Sequence, residues 1–140
     1  GRPPRAPPMG DLQRLTHKLS LPIAAGNLTL ARFYAYESVE VLRAIQREIP
    51  EYDGHPIAFL IDRLALPAYD ELTEVLRERP KSARDAQTRT PSEPLDRAME
   101  AVVAACNECH GATRHDFIRI RDERERNPFN QDFGSRELGR

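Results

Sequence analysis

TPSEPLDRAMEAVVAACNECHGATRHDFIRI, residues 90 to 120, decides how the rest of the chain is read. Leu95, Met99, Val102, Cys106, Cys109, Thr113 and Ile120 recur at the spacing of one helical face, and nothing in the stretch alternates with the period of two that a strand requires. Thr90 to Pro94 (TPSEP) supplies the start of this helix. Pro128 bounds it, because the residue before a proline disfavours the helical region. The expectation is one long final helix, with both cysteines of the chain on its apolar stripe.

The same period runs through the preceding sequence. Asn27 is an N-cap candidate for a helix whose stripe is Ala31, Tyr34, Ala35, Ser38, Val41, Leu42 and Ile45. Pro50 stops that helix and Asp53-Gly54 makes a turn. Pro56 opens the next, where Ile57, Leu60, Ile61, Leu64, Ala68, Leu72, Val75 and Leu76 form one stripe. Pro67 is expected to kink this helix or divide it in two. Upstream, Asp11 is a cap candidate for a segment carrying Leu12, Leu15, Leu19 and Ile23, limited by Pro22 and Gly26. Lys81 to Gln87 is polar and reads as loop. Short connections between long amphipathic helices make neighbours antiparallel, so the expected fold is an all-α antiparallel bundle.

The chain has 140 residues, 39% of them hydrophobic, and a net charge of -1. That length suits one core. Charges of both signs alternate along the chain, which argues against nucleic acid as a partner. No stretch is apolar for the length of a membrane span. Residues 1–10 (GRPPRAPPMG) hold four of the twelve prolines and read as an extended tail following a segment since removed, a signal peptide or a membrane tether. The expected organisation is a Pro-rich tail over 1–10, a ligand-binding helical bundle over 11–127 and a C-terminal tail over 128–140, where Phe129 and Phe133 pack on the bundle or on a partner.

Residues 106 to 110 read Cys-Asn-Glu-Cys-His, the c-type haem attachment pattern. The spacing has a chemical reason. Haem carries two vinyl groups on adjacent pyrroles, and cysteines at i and i+3 of a helix face the same way, so both reach the ring edge. Cys106 and Cys109 are therefore the expected thioether residues, and His110 the proximal iron ligand of one covalent haem c. A thioredoxin-like redox pair belongs at a helix start after a strand, and none precedes this one. A structural zinc site needs a second Cys or His pair at a recognisable spacing, and there is none. With two cysteines in all, a disulfide framework is ruled out.

The opposite axial position separates electron transfer from binding of a small gas. Met99 precedes Cys106 on the same helix and reads as a core methionine. Met9 lies in the tail, His55 in a turn before Pro56, and His115 points off the haem helix toward solvent or a propionate. His17, in a separate N-terminal segment that can fold over the distal side, is the candidate distal ligand. A surface histidine beside Lys18, and an open position walled by Leu or Phe, are its rivals.

A motif placed this late, on the last long helix of an all-helical chain, resembles the class II cytochromes c of the cytochrome c′ type. Over residues 10 to 126 that likeness implies a four-helix bundle, with Cys106 and Cys109 as thioether residues and His110 as proximal ligand. Lys18-Leu19, Ala24 to Ala31 (AAGNLTLA), the run around Tyr36 and Glu37, and Cys106 to Ile118 (CNECHGATRHDFI) also resemble a set of little-characterised small bacterial haem c proteins. Many of those carry tryptophan where Leu28 stands, and a histidine ahead of the Lys-Leu pair is common among them, as His17 is here.

The c-type resemblance implies export, because bacteria complete thioether attachment on the outer side of the inner membrane; the expected location is the periplasm. The expected function is electron transfer between redox partner proteins, as a soluble carrier or a haem subunit of a complex, without enzymatic activity. The alternative is a five-coordinate haem protein that binds or senses nitric oxide or carbon monoxide. A peroxidase would need a distal acid/base pair, for which only His17 with a nearby arginine is available. The likeness also allows a homodimer formed through the first two helices.

Overall fold

A computed structural model describes residues 7–78 and 93–134, and these are all-helical, with four long helical stretches and no strand. Helix α1 spans Pro7–Ala25 and α2 spans Leu28–Glu48. The third stretch is α3 (Ile57–Leu60), a π-helical turn (Ile61–Ala65) and α4 (Leu66–Glu78) without interruption, and the fourth is α5 (Glu93–Ala112). Helix α1 packs on α2, α2 on α4, and α4 on α5.

α1 is longer than the sequence led us to expect. It is helical from Pro7, so the boundary at residue 10 falls inside it, and Asp11 is an interior residue paired to Arg14 at 3.1 Å rather than a cap. Prolines are tolerated in a first helical turn, whose N–H groups have no partner in any case. The helix also passes through Pro22, which is fully buried, and runs three residues beyond it. Gly26 then ends it at φ 77°: its N–H bonds to the Ile23 carbonyl (3.2 Å) and the Asn27 N–H to the Pro22 carbonyl (2.9 Å). Glycine adopts this left-handed geometry without a Cβ clash, and the paired bonds satisfy the last carbonyls.

Asn27 caps α2 as expected, its Oδ1 accepting from the Leu30 N–H at 3.2 Å. Ala31, Tyr34, Ala35, Ser38, Leu42 and Ile45 are buried along the predicted stripe. Asp53 (φ 54°) and Gly54 (φ 80°) form the turn, closed by reciprocal backbone bonds between Tyr52 and His55. Two consecutive residues at positive φ suit a tight two-residue reversal.

Pro67 does not divide the third helix. The turn before it widens to π geometry, with the Leu66 N–H reaching the Ile61 carbonyl five residues back. A π turn places one extra residue in the helix and so absorbs a proline that cannot donate, letting the stripe continue through buried Ile61, Leu66, Tyr69, Leu72 and Leu76.

α5 ends at Ala112, well short of Pro128. Arg114 is left-handed (φ 61°), its N–H bonds to the Gly111 carbonyl (3.2 Å), and the His115 N–H bonds to the His110 carbonyl (2.6 Å). Thr113 adds its hydroxyl, within 3.0 Å of the Cys109 carbonyl and 3.2 Å of that of His110. This polar C-cap outweighs the apolar spacing that extended the stripe to Ile120. Residues 115–134 are an irregular strap across the bundle: Arg124 pairs with Asp96 of α5, the Arg126 carbonyl meets His17 of α1, and Gln131 donates to Tyr34 Oη of α2 (2.6 Å). Phe133 is buried in the core and Phe129 packs beside it, so the expected tail over 128–140 is, through residue 134, part of the bundle. The polar loop expected at Lys81 to Gln87 and the start of α5 at Thr90 lie outside the described residues.

Candidate functional site

Cys106, Cys109 and His110 occupy the last two turns of α5. An i, i+3, i+4 set lies on one helical face. That face meets the third helical stretch where it is widened: Cys109 Sγ lies 3.9 Å from the Leu60 carbonyl, at the edge of the π turn. Tyr69 is fully buried, its hydroxyl 3.2 Å from Thr16 Oγ1; burial, with the charge of Cys106 adding, pushes it up to about 12. Partial burial pushes both thiols up to about 11, with each other's charge adding at Cys106 and the Glu108 carboxylate adding at Cys109. They stay protonated at neutral pH. That disfavours thiolate chemistry, such as exchange with a disulfide or direct binding of zinc.

His110 is oriented by the strap. Its Nδ1 lies 3.1 Å from the Ile118 carbonyl, which can only accept, so the proton sits on Nδ1. Nε2 is left with a free lone pair, the arrangement that aligns a metal-binding imidazole. Burial lowers the pKa of His110; the Ile118 carbonyl opposes that shift and neighbouring His115 reinforces it. The imidazole therefore stays neutral to more acidic pH than an ordinary histidine. Asn107, inside the motif, anchors the strap: its Nδ2 donates to the Ile120 carbonyl (2.9 Å) and its Oδ1 accepts from the Ile120 N–H (2.7 Å). His115 Nδ1 lies 3.1 Å from Thr113 Oγ1, and its ring packs 5.7 Å from Phe117.

Around the motif the protein leaves apolar surface in water. Phe117 is 78% exposed, Phe59 55% and Ile118 38%. Phe59 precedes the Leu60 whose carbonyl meets Cys109, and its own ring lies under the Arg63 guanidinium at 5.0 Å; Ile118 supplies the carbonyl that orients His110.

The other candidates fall elsewhere. His17 is half-buried on α1, its Nε2 bonded to the Arg126 carbonyl (2.9 Å) and its ring edge-on to Phe129 at 5.1 Å; none of its described contacts reaches His110. Met99 is fully buried in the core, as its stripe position predicts. Met9 lies in the first turns of α1 and is 41% exposed. His55 is held in the Asp53-Gly54 turn. The roles of Leu60, Asn107, Ile118 and Ile120 were invisible to pattern reading, because backbone acceptors and a returning strap leave no periodic trace.

Among the described residues, no three His, Cys, Asp or Glu side chains converge as a metal-ion site, and no helix is long and apolar enough to cross a membrane. Comparison with protein-family models, with curated proteins and with solved structures finds no match to this chain.

Proposed function

We propose that this chain is a monohaem c-type cytochrome acting in electron transfer, as a soluble carrier or as the haem subunit of a redox complex. The observation that carries the reading is the Nδ1–H of His110 donated to the Ile118 carbonyl, which leaves Nε2 as the ring's acceptor on the helix that carries Cys106 and Cys109. One imidazole and two protonated thiols fall short of the four protein ligands of a closed structural metal site. They suit a group that brings its own equatorial nitrogens. We further read the architecture as the antiparallel four-helix bundle of the cytochrome c′ type, with the attachment motif on its last long helix.

Cys106 and Cys109 would each add an S–H across a vinyl double bond, sulfur to the inner carbon and hydrogen to the outer, with no net change of oxidation state. Protonated thiols supply that hydrogen. His110 would hold the iron through Nε2, and the Ile118 carbonyl would fix the ring and raise its basicity. A bound haem supplies a one-electron couple at its iron; the protein sets the potential through the axial ligand, its hydrogen bond and the burial around it. The attachment chemistry implies the periplasm, with redox partner proteins met in brief encounters of small buried area.

A second reading, a five-coordinate haem protein that binds nitric oxide or carbon monoxide, is favoured by one observation. The Nε2 of His17, the candidate distal ligand, is engaged by the Arg126 carbonyl.

The test is production in a host that matures cytochromes c, followed by denaturing electrophoresis stained for haem and by spectra with and without carbon monoxide. The expected result is haem that stays with the chain through acid–organic extraction and is lost from it in Cys106→Ser/Cys109→Ser. A chain without haem from that host would overturn the proposal. A low-spin spectrum indifferent to the gas supports electron transfer, and a high-spin spectrum that shifts with it supports the second reading.

A further inference from the structure

A second feature lies away from the thiols. The first turns of α1 and the strap enclose a cleft of about 520 Å³. Gly10, Gln13, Arg14 and His17 line one side at the spacing of a single helical face, and the strap forms the other. Four guanidinium groups, those of Arg14, Arg119, Arg121 and Arg126, line it against one carboxylate, that of Glu123, in a chain whose net charge is -1. Positive charge is therefore concentrated in this concavity.

That carboxylate is already occupied. Glu123 Oε1 pairs with Arg121 at 3.1 Å, and its Oε2 accepts the backbone N–H groups of Glu125 (3.2 Å) and Arg126 (3.3 Å). Arg14 has Asp11, but Arg119 makes no ion pair or hydrogen bond among the described residues. Arg124 shows what a purely structural arginine looks like in the same strap: it is held between Asp96 and Asp122 and does not line the cleft. Glu123 faces both Arg121 and Arg126 and Asp11 pairs with Arg14, so the cations exceed the carboxylates by two, and a concave low-dielectric wall focuses that excess field on whatever enters. Phe129 gives the cleft an apolar wall.

We propose that this cleft is a binding site for a compact polyanion, a small molecule bearing two or more phosphate or carboxylate groups. Guanidinium forks bind both oxyanions in pairs of parallel hydrogen bonds, and the cleft's volume is that of a small-molecule site. Ile120 in its lining is the residue that Asn107 grips, so an occupant would sit against the strap that orients His110. The site stands on the cleft alone and does not depend on the haem reading.

The experiment is isothermal titration of the full chain at low ionic strength with inorganic pyrophosphate and, separately, with citrate. We expect saturable one-to-one binding of at least one, weakened by added salt. Arg119→Ser/Arg126→Ser should weaken it about tenfold or more, since bonds to charged groups are the strong ones. Arg43→Ser, an exposed arginine of α2 outside the cleft, should leave it unchanged. Binding of pyrophosphate alone, or of citrate alone, would identify the oxyanion. Absence of saturable binding to the unmutated chain, or an equal loss in Arg43→Ser, would overturn the site.

Discussion

Asn107 and His110 show how single side chains join the motif to the segment that follows it. Asn107 holds Ile120 by both backbone groups, and the carbonyl two residues earlier holds His110. Asn107→Ala should release the Ile120 amide, at a cost of about 1–2 kcal/mol for two lost bonds. Hydrogen exchange would read this as loss of protection at Ile120 while the α5 amides stay protected. The thiols make a separate prediction. At about 11 instead of the ordinary 9.0, their thiolate fraction at pH 8 is about a hundredfold lower, so iodoacetamide should alkylate the haem-free chain about a hundredfold more slowly than an ordinary cysteine. The rate should climb about tenfold per pH unit toward 11. Because burial favours the protonated form, the thiols stabilise the fold below their ordinary value, and that contribution is lost as pH rises through the folded one. The melting temperature of the haem-free chain should therefore fall between about pH 9 and pH 11. Cys106→Ser/Cys109→Ser should flatten that fall. The motif residues stand out in the sequence because the proposed attachment chemistry would constrain identity and spacing together. Asn107 does not, since its partner is a backbone that only the reversal after Arg114 brings near.

At the scale of elements, junctions decide more than helix interiors. Asn27 ends α1, caps α2 through Oδ1, and donates Nδ2 to the carbonyls of Phe133 (3.3 Å) and Gly134 (3.2 Å). Asn27→Ala should cost about 2–3 kcal/mol, a cap of about 1 plus the bonds to the strap. Asn27→Asp keeps the cap oxygen but not the donor, and should recover only the cap's share; urea unfolding of the two variants separates the contributions. The stripe of α2 was plain in the sequence because burial of one face imposes a period; in α4, Leu72 and Leu76 are buried as expected, but Leu66 and Tyr69 are buried in place of Ala68 and Val75. The ends of α1 and α5, and the π turn before Pro67, were not plain. A proline says that one backbone bond is missing, but neighbouring packing determines whether the helix stops, kinks or widens.

For the whole molecule, the strap is the piece that converts four helices into one site. It runs from the end of α5 past α1 to the start of α2 and inserts Phe133 beside Tyr34, ring centres 6.3 Å apart. Phe133→Ala should destabilise the fold by about 3–5 kcal/mol, the usual range for a buried phenylalanine. Thermal melts would show it, and loss of near-ultraviolet dichroism from Tyr34 before the helices unfold would place the damage at the strap. Composition, the 3.6-residue period and the Cys-Asn-Glu-Cys-His spacing pointed by themselves to helices, to the buried face of α2 and to three residues bearing the candidate chemistry. Each of those is a local property, written in neighbours a few positions apart. Tertiary structure alone decided that His17 turns to Arg126, that Asn27 reaches the strap, and that the arginines of α1 and the strap share a cleft. These contacts join residues more than a hundred positions apart, such as His17 with Arg126 and Asn27 with Phe133. The bonds that make them are to backbone groups, which every residue carries and no sequence pattern distinguishes.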